Sequence, residues 1–132
     1  RLPAITSDGA GGAIVACEKE IVSGEDRGDV DIMIQRLSAS GQILWGGGKN
    51  ALTILASRQE ERAPALSPDG RGGAVLAAER VYRSGEYAGD ADIIARRVTA
   101  EGAYPWRGGE KPVDVISSKW RERRPAIAAL NP

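Results

Sequence analysis

Two sets of acidic residues recur in this chain with the same spacing: Glu25, Asp29 and Asp31, then Glu86, Asp90 and Asp92. Clustered carboxylates beside a glycine offer the hard oxygen donors that Ca²⁺ takes, although the spacing matches no EF-hand loop. The same residues also serve turns, where an Asp side chain accepts backbone N–H groups. A Ca²⁺ site and simple turn capping are both open readings, and no other cofactor is expected. A second set is aromatic and basic. Tyr82, Tyr87, Trp120 and Arg121 stand in expected loops, and exposed aromatics and arginines anchor binding partners. Trp45 and Trp106 recur in register and read as packing, whereas Trp120 falls opposite Gln59 and does not recur. The arginines at 121, 123 and 124 read as ion-pair partners for Glu61 and Glu122.

Composition removes several chemistries. The 132 residues include no His and one Cys. Ser-His-Asp and Cys-His nucleophile systems need a histidine base. A Cys/His zinc site lacks its ligands, and one cysteine makes no intrachain disulfide. Cys17 lies in an apolar run and reads as a small buried hydrophobe. Eighteen basic residues balance eighteen acidic ones, which argues against a nucleic-acid footprint. Paired carboxylates for glycoside hydrolysis remain compositionally allowed. The matched acids fall in loops and turns, however, so the chain is expected to be noncatalytic. The longest apolar runs, Ala13 to Cys17 and Ala51 to Ala56, are far short of the ~20 residues that span a bilayer.

The elements that position these residues follow from a duplication. Residues 1–61 align without a gap on 62–122, with about 25 identical pairs, a level that marks an internal repeat. Residues 123–132 open a third unit. Asp8-Gly9 matches Asp69-Gly70, Gly11-Gly12-Ala13 matches Gly72-Gly73-Ala74, and Asp31-Ile32 matches Asp92-Ile93. Within a unit the signals are strands and turns. The pattern predicts strands at Ala4 to Thr6, Ala13 to Glu18, Asp31 to Leu37 and Gln42 to Trp45. Leu52 to Leu55 is a further candidate within a long connection, Gly46 to Arg62. The second unit repeats them at Ala65-Leu66, Ala74 to Glu79, Asp92 to Val98 and Ala103 to Trp106. The continuous apolar run of Ala13 to Glu18 predicts burial on both faces. The long loops, Glu20 to Asp29 with Gly46 to Arg62 and their repeats, are expected together at one end, where binding residues concentrate.

Four short strands per unit of about 60 residues is a β-propeller blade pattern. The expected fold is all-β: two four-stranded antiparallel blades plus the first strand of a third, an incomplete propeller. The pattern Pro-Ala-Ile-x-x-Asp-Gly-x-Gly-Gly-Ala-Ile-Val-Ala, then Asp-Ile-x-x-Gln-Arg-Leu, then Gly-x-x-Leu-Trp, resembles the propeller repeats of bacterial secreted and cell-surface proteins. Where those repeats commonly carry Trp-Glu-Asp, this chain has Cys17-Glu18 and Ala78-Glu79. The resemblance implies an extracytoplasmic location. The expected role is a noncatalytic module for protein–protein contact or scaffolding, a fragment or subunit of a larger assembly. Two alternatives accompany it: a glycan-binding propeller completed by several chains, and part of a propeller hydrolase whose catalytic blades lie elsewhere. Partners are a protein or further blades, with no nucleic acid and no membrane span. A propeller closes with 4–8 blades, so an isolated monomer is not expected to be stable.

Overall fold

The computed structural model describes residues 1–117 and Ile127. The expected third-unit strand at 123–132, Trp120 and Arg121 lie outside the described residues. The described chain is all-β. Its strands are β1 (Ala4–Ser7), β2 (Ala13–Glu20), β3 (Val30–Leu37), β4 (Leu52–Leu55), β5 (Glu60–Pro68), β6 (Ala74–Val81), β7 (Ala91–Val98) and β8 (Val113–Ile116). They form one open, mostly antiparallel sheet of eight strands. β1 to β4 pair in antiparallel succession, as do β5 to β8. A single parallel bridge, Val30 to Glu60, joins the two meanders. Each of β6, β7 and β8 starts 61 residues after β2, β3 and β4.

The tight turns follow from their glycines. Asp8 accepts the N–H groups of Ala10 and Gly12 on one carboxylate oxygen, both at 2.8 Å. This closes β1 onto β2. Gly12 then passes so close to the end of β3 that a Cβ would lie 2.0 Å from the Leu37 carbonyl oxygen. Gly73 stands in the same relation to Val98, at 2.1 Å. No side chain fits either place, because the obstacle is backbone.

The fourth strand differs from expectation. Gln42 to Trp45 carries only an isolated bridge, Leu37 to Ile43, and the fourth strand is Leu52–Leu55. Likewise Val113–Ile116 replaces Ala103 to Trp106. Two hydrogen bonds hold Trp45, whose own backbone stays extended. Gln35 accepts its backbone N–H at 2.9 Å, and its indole N–H reaches across to the Ala100 carbonyl at 2.8 Å. Gly46, Gly47 and Gly48 then all take positive φ, which breaks a strand and permits the short 3₁₀ turn seen there. The apolar run at Leu52 to Leu55 pairs with β3 instead.

One core lies between the meanders. Ile14, Ala16, Ile32, Ile34, Trp45, Ile54 and Leu55 of the first meet Ala74, Leu76, Ala78, Ile94 and Val98 of the second. β2 therefore buries only the Ile14, Ala16 and Glu18 side fully, and Ala13, Val15 and Cys17 are half-buried. The expectation of burial on both faces fails for β2 but fits β6, where Leu76, Ala77, Ala78 and Glu79 are all buried.

Candidate functional site

The end of the sheet opposite the Asp8 turn carries the candidate site. The loop 21–29 connects β2 to β3, Ala56 to Gln59 connect β4 to β5, and residues 82–90 connect β6 to β7. Because β4 ends at Leu55, the connection between meanders is short, and the long insertion 38–51 lies at the other end. This corrects the expected grouping of long loops at one end.

Each of the two longer loops closes on itself by the same pair of backbone bonds. Ile21 N–H donates to the Asp29 carbonyl and Gly28 N–H to Ile21; Tyr82 N–H donates to Asp90 and Gly89 N–H to Tyr82. Arg83 ties the loops to each other. Its guanidinium donates to the Asp29 carboxylate, and its backbone N–H donates to the Gln59 side chain at 2.8 Å. The chain thus braces one loop with the other, although their tips stay exposed.

The predicted acidic residues separate into different roles. Asp29 is buried and bound to Arg83. Asp92 is buried and accepts the Tyr82 hydroxyl at 2.8 Å. Burial, reinforced by that bond to a carboxylate, pushes the Tyr82 hydroxyl up to about 12. Asp31 is half-buried; burial, then the neighbouring Asp29 and Asp26 charges, hold its carboxyl above the usual range. Glu25 and Glu86 are exposed, and Asp90 is half-buried. Among the described residues, no group of three or more Asp, Glu, Cys or His side chains is arranged to hold a metal ion.

Asp26, Asp29 and Asp31 line a shallow groove of about 320 Å³ together with Ser57 and Arg58. Glu61 is fully buried and takes the Ser57 hydroxyl at 2.6 Å and Arg80 at 3.1 Å on one oxygen. Its second oxygen is buried without a hydrogen-bond partner. Burial raises its pKa, against the opposing pull of Ser57 and Arg80. Among the described residues the partners of Glu61 are Ser57 and Arg80, and the arginines at 121, 123 and 124 expected for it lie outside the described residues. Of the predicted aromatics, Tyr82 is half-buried and Tyr87 is 54% exposed, their rings tilted at 6.4 Å. Val22, at the tip of the other loop, is 76% exposed.

Sequence reasoning missed Arg83, Gln59 and Arg80. A signal for Arg83 was present: it stands opposite Val22 in the repeat, a nonrecurring charge within a recurring loop. A second cavity, about 360 Å³, lies at the other end beside Asp8, Arg36 and Arg71. Its Arg36 is already spent on Asp8 and on the Ala100 carbonyl, both at 3.1 Å. No described helix is long and apolar enough to cross a membrane. The chain matches no family model, no curated protein and no solved structure.

Proposed function

We propose that this chain is a noncatalytic β-propeller-type module that holds a protein partner at its loop end, as a scaffold in an extracytoplasmic assembly. One observation carries the reading: exposed Tyr87 and Val22 stand on mutually braced loops, and the loop of Val22 lines a groove with Asp26 and Asp29. An aromatic presented on a stiff loop gives a partner large contact area at low ordering cost. The exposed Asp26 and half-buried Asp31 of that groove favour a segment that carries Lys or Arg. The noncatalytic part is supported by the use already made of the titratable groups here. Asp29 is held by Arg83, Asp92 by Tyr82, and Glu61 by Ser57 and Arg80. A peptide-display selection against the chain tests the proposal. Expected winners combine an apolar residue with Lys or Arg, lose at least tenfold in affinity with Tyr87→Ala, and weaken as salt rises. Winners unaffected by Tyr87→Ala and by Asp26→Asn would overturn it.

A further inference from the structure

The cavity beside Asp8 lies where the turn from β1 to β2 meets the turn from β5 to β6. It measures about 360 Å³, and Asp8, Arg36, Pro68, Gly70, Arg71 and Gly72 line it. The two turns are built alike. Asp8 takes the Ala10 and Gly12 N–H groups, and Asp69 takes those of Arg71 and Gly73 at 2.7 and 2.9 Å. The other oxygen of each carboxylate holds an arginine of its own unit, Arg36 or Arg97, at 3.1 Å.

The second turn departs from the first at two positions that line the cavity. Pro68 stands where the first turn has Ser7, and Arg71 where it has Ala10. In the first turn the Ser7 hydroxyl accepts the Gly9 N–H at 3.0 Å. Pro68 offers no such acceptor, and the N–H of Gly70, the counterpart of Gly9, has no partner among the described residues. Arg71 adds an exposed guanidinium that also has no partner among them. Each departure leaves a free donor and neither brings an acceptor. Arg36 supplies a third donor. Its Nε goes to Asp8 and its Nη1 to the Ala100 carbonyl, and Nη2 is left over. The fork lies against Gly72, where a Cβ would stand 3.5 Å from both Nη1 and Nη2. Asp8 is buried and its charge is matched by Arg36, so the surplus positive charge of the lining rests on Arg71.

We propose that this cavity binds a small oxyanion, a carboxylate or phosphate group, between the two turns. Arg71 supplies the charge and a planar fork that takes two oxygens of such a group. The Gly70 N–H and Arg36 Nη2 are the further donors. The imbalance of donors over acceptors is what selects an anion. A sugar or an alcohol brings hydroxyl protons that need acceptors of their own, and both Asp8 oxygens are already taken. The site belongs to the stacked pair, since Asp8 and Arg36 come from the first unit and Gly70 and Arg71 from the second. A bound anion therefore ties the units together and stabilises the folded chain by mass action. The proposal goes beyond the loop-end reading, because it uses the opposite end of the sheet and none of the loop residues.

The test is an NMR titration of the full, isotope-labelled chain with inorganic phosphate and, separately, with acetate, at constant ionic strength. Saturable shifts are expected at the Gly70 and Gly72 amides and at the Arg36 and Arg71 Nε–H signals. The anion that saturates at the lower concentration names the group. Two variants return the second turn to residues that the first turn already carries, so both should fold. Arg71→Ala removes the charge-assisted pair and should weaken binding about tenfold. Pro68→Ser gives the Gly70 N–H a hydroxyl to bond, as Ser7 does for Gly9, and should weaken binding about threefold. Saturating anion should raise the urea midpoint of the wild type and leave that of Arg71→Ala in place. The absence of saturable shifts with either anion overturns the proposal. So does binding that both variants leave unchanged, or shifts spread over arginines outside the cavity. Tyr87→Ala and Asp26→Asn should leave the titration unchanged, so failure here and failure of the loop-end reading are told apart.

Discussion

Ile54 and Val115 hold the same place in the repeat, and they should respond differently to truncation. Ile54 is fully buried between the meanders, whereas Val115 is 55% exposed. Ile54→Ala removes buried methyl and methylene groups and leaves a cavity whose walls, Ile32, Leu76 and their neighbours, belong to packed strands. Such a change costs about 2–5 kcal/mol. Val115→Ala removes surface carbons and should stay within about 0.5 kcal/mol. With a urea dependence of roughly 2 kcal/mol per molar, a 3 kcal/mol loss lowers the midpoint by about 1.5 M. The assay is urea unfolding by fluorescence and circular dichroism, at a concentration where light scattering shows single chains. Comparable shifts for the two variants would refute the reasoning, because they would mean that Ile54 and Val115 are equally buried. A change of slope for Ile54→Ala would show that the meanders unfold separately.

Gly12→Ala and Gly73→Ala should each lose at least about 3 kcal/mol, since the new Cβ meets backbone carbonyl oxygen at 2.0 and 2.1 Å. Gly9→Ala, with open space around it, should lose only the 1–2 kcal/mol or so of a left-handed residue, and thermal unfolding ranks the three. Glu18 takes the Ala63 N–H at 2.9 Å and Arg62 at 3.3 Å, tying β2 to the start of the second meander. Glu18→Ala leaves that N–H unpaired, while Arg62 keeps its bond to Glu60 at 3.0 Å, and should cost about 1–3 kcal/mol in urea, with Glu18→Gln losing less. The Tyr82 hydroxyl keeps its proton to about pH 12 in the folded chain and to about 10 when unfolded. Folded chain then binds more protons than unfolded chain between those values, so stability falls as pH rises through that window. Tyr82→Phe should flatten that alkaline loss, and ultraviolet titration of the phenolate should report the raised value directly.

Much of the fold was legible because turns and strands here are locally encoded. Asp8-Gly9 and Gly12 mark a turn by their conformational needs alone, and the structure closes it with the Asp8 carboxylate. The apolar runs of β2, β3, β6 and β7 lie where expected, each a residue or two longer at one end. The fourth strand was not legible. Gln42 to Trp45 looks as extended as Leu52 to Leu55, and Trp45 does keep an extended backbone, but Leu52–Leu55 takes the ladder on β3 and leaves the earlier segment one isolated bridge. The candidate site was legible in its members and not in its connections. Tyr82, Asp29 and Asp92 were named, but Arg83 joins units across a separation of 54 residues.

The sequence alone determined the duplication, the all-β class and the chemistry that is absent. Those depend on residue identity and on spacing along the chain, which need no partner to be read. Only the tertiary structure decided which face of each unit is buried. Ile14 and Val75, or Leu55 and Ile116, are equivalent by sequence, and each pair differs in exposure. Burial belongs to a neighbour as much as to a residue, and the neighbour of each face appears only when the two meanders stack.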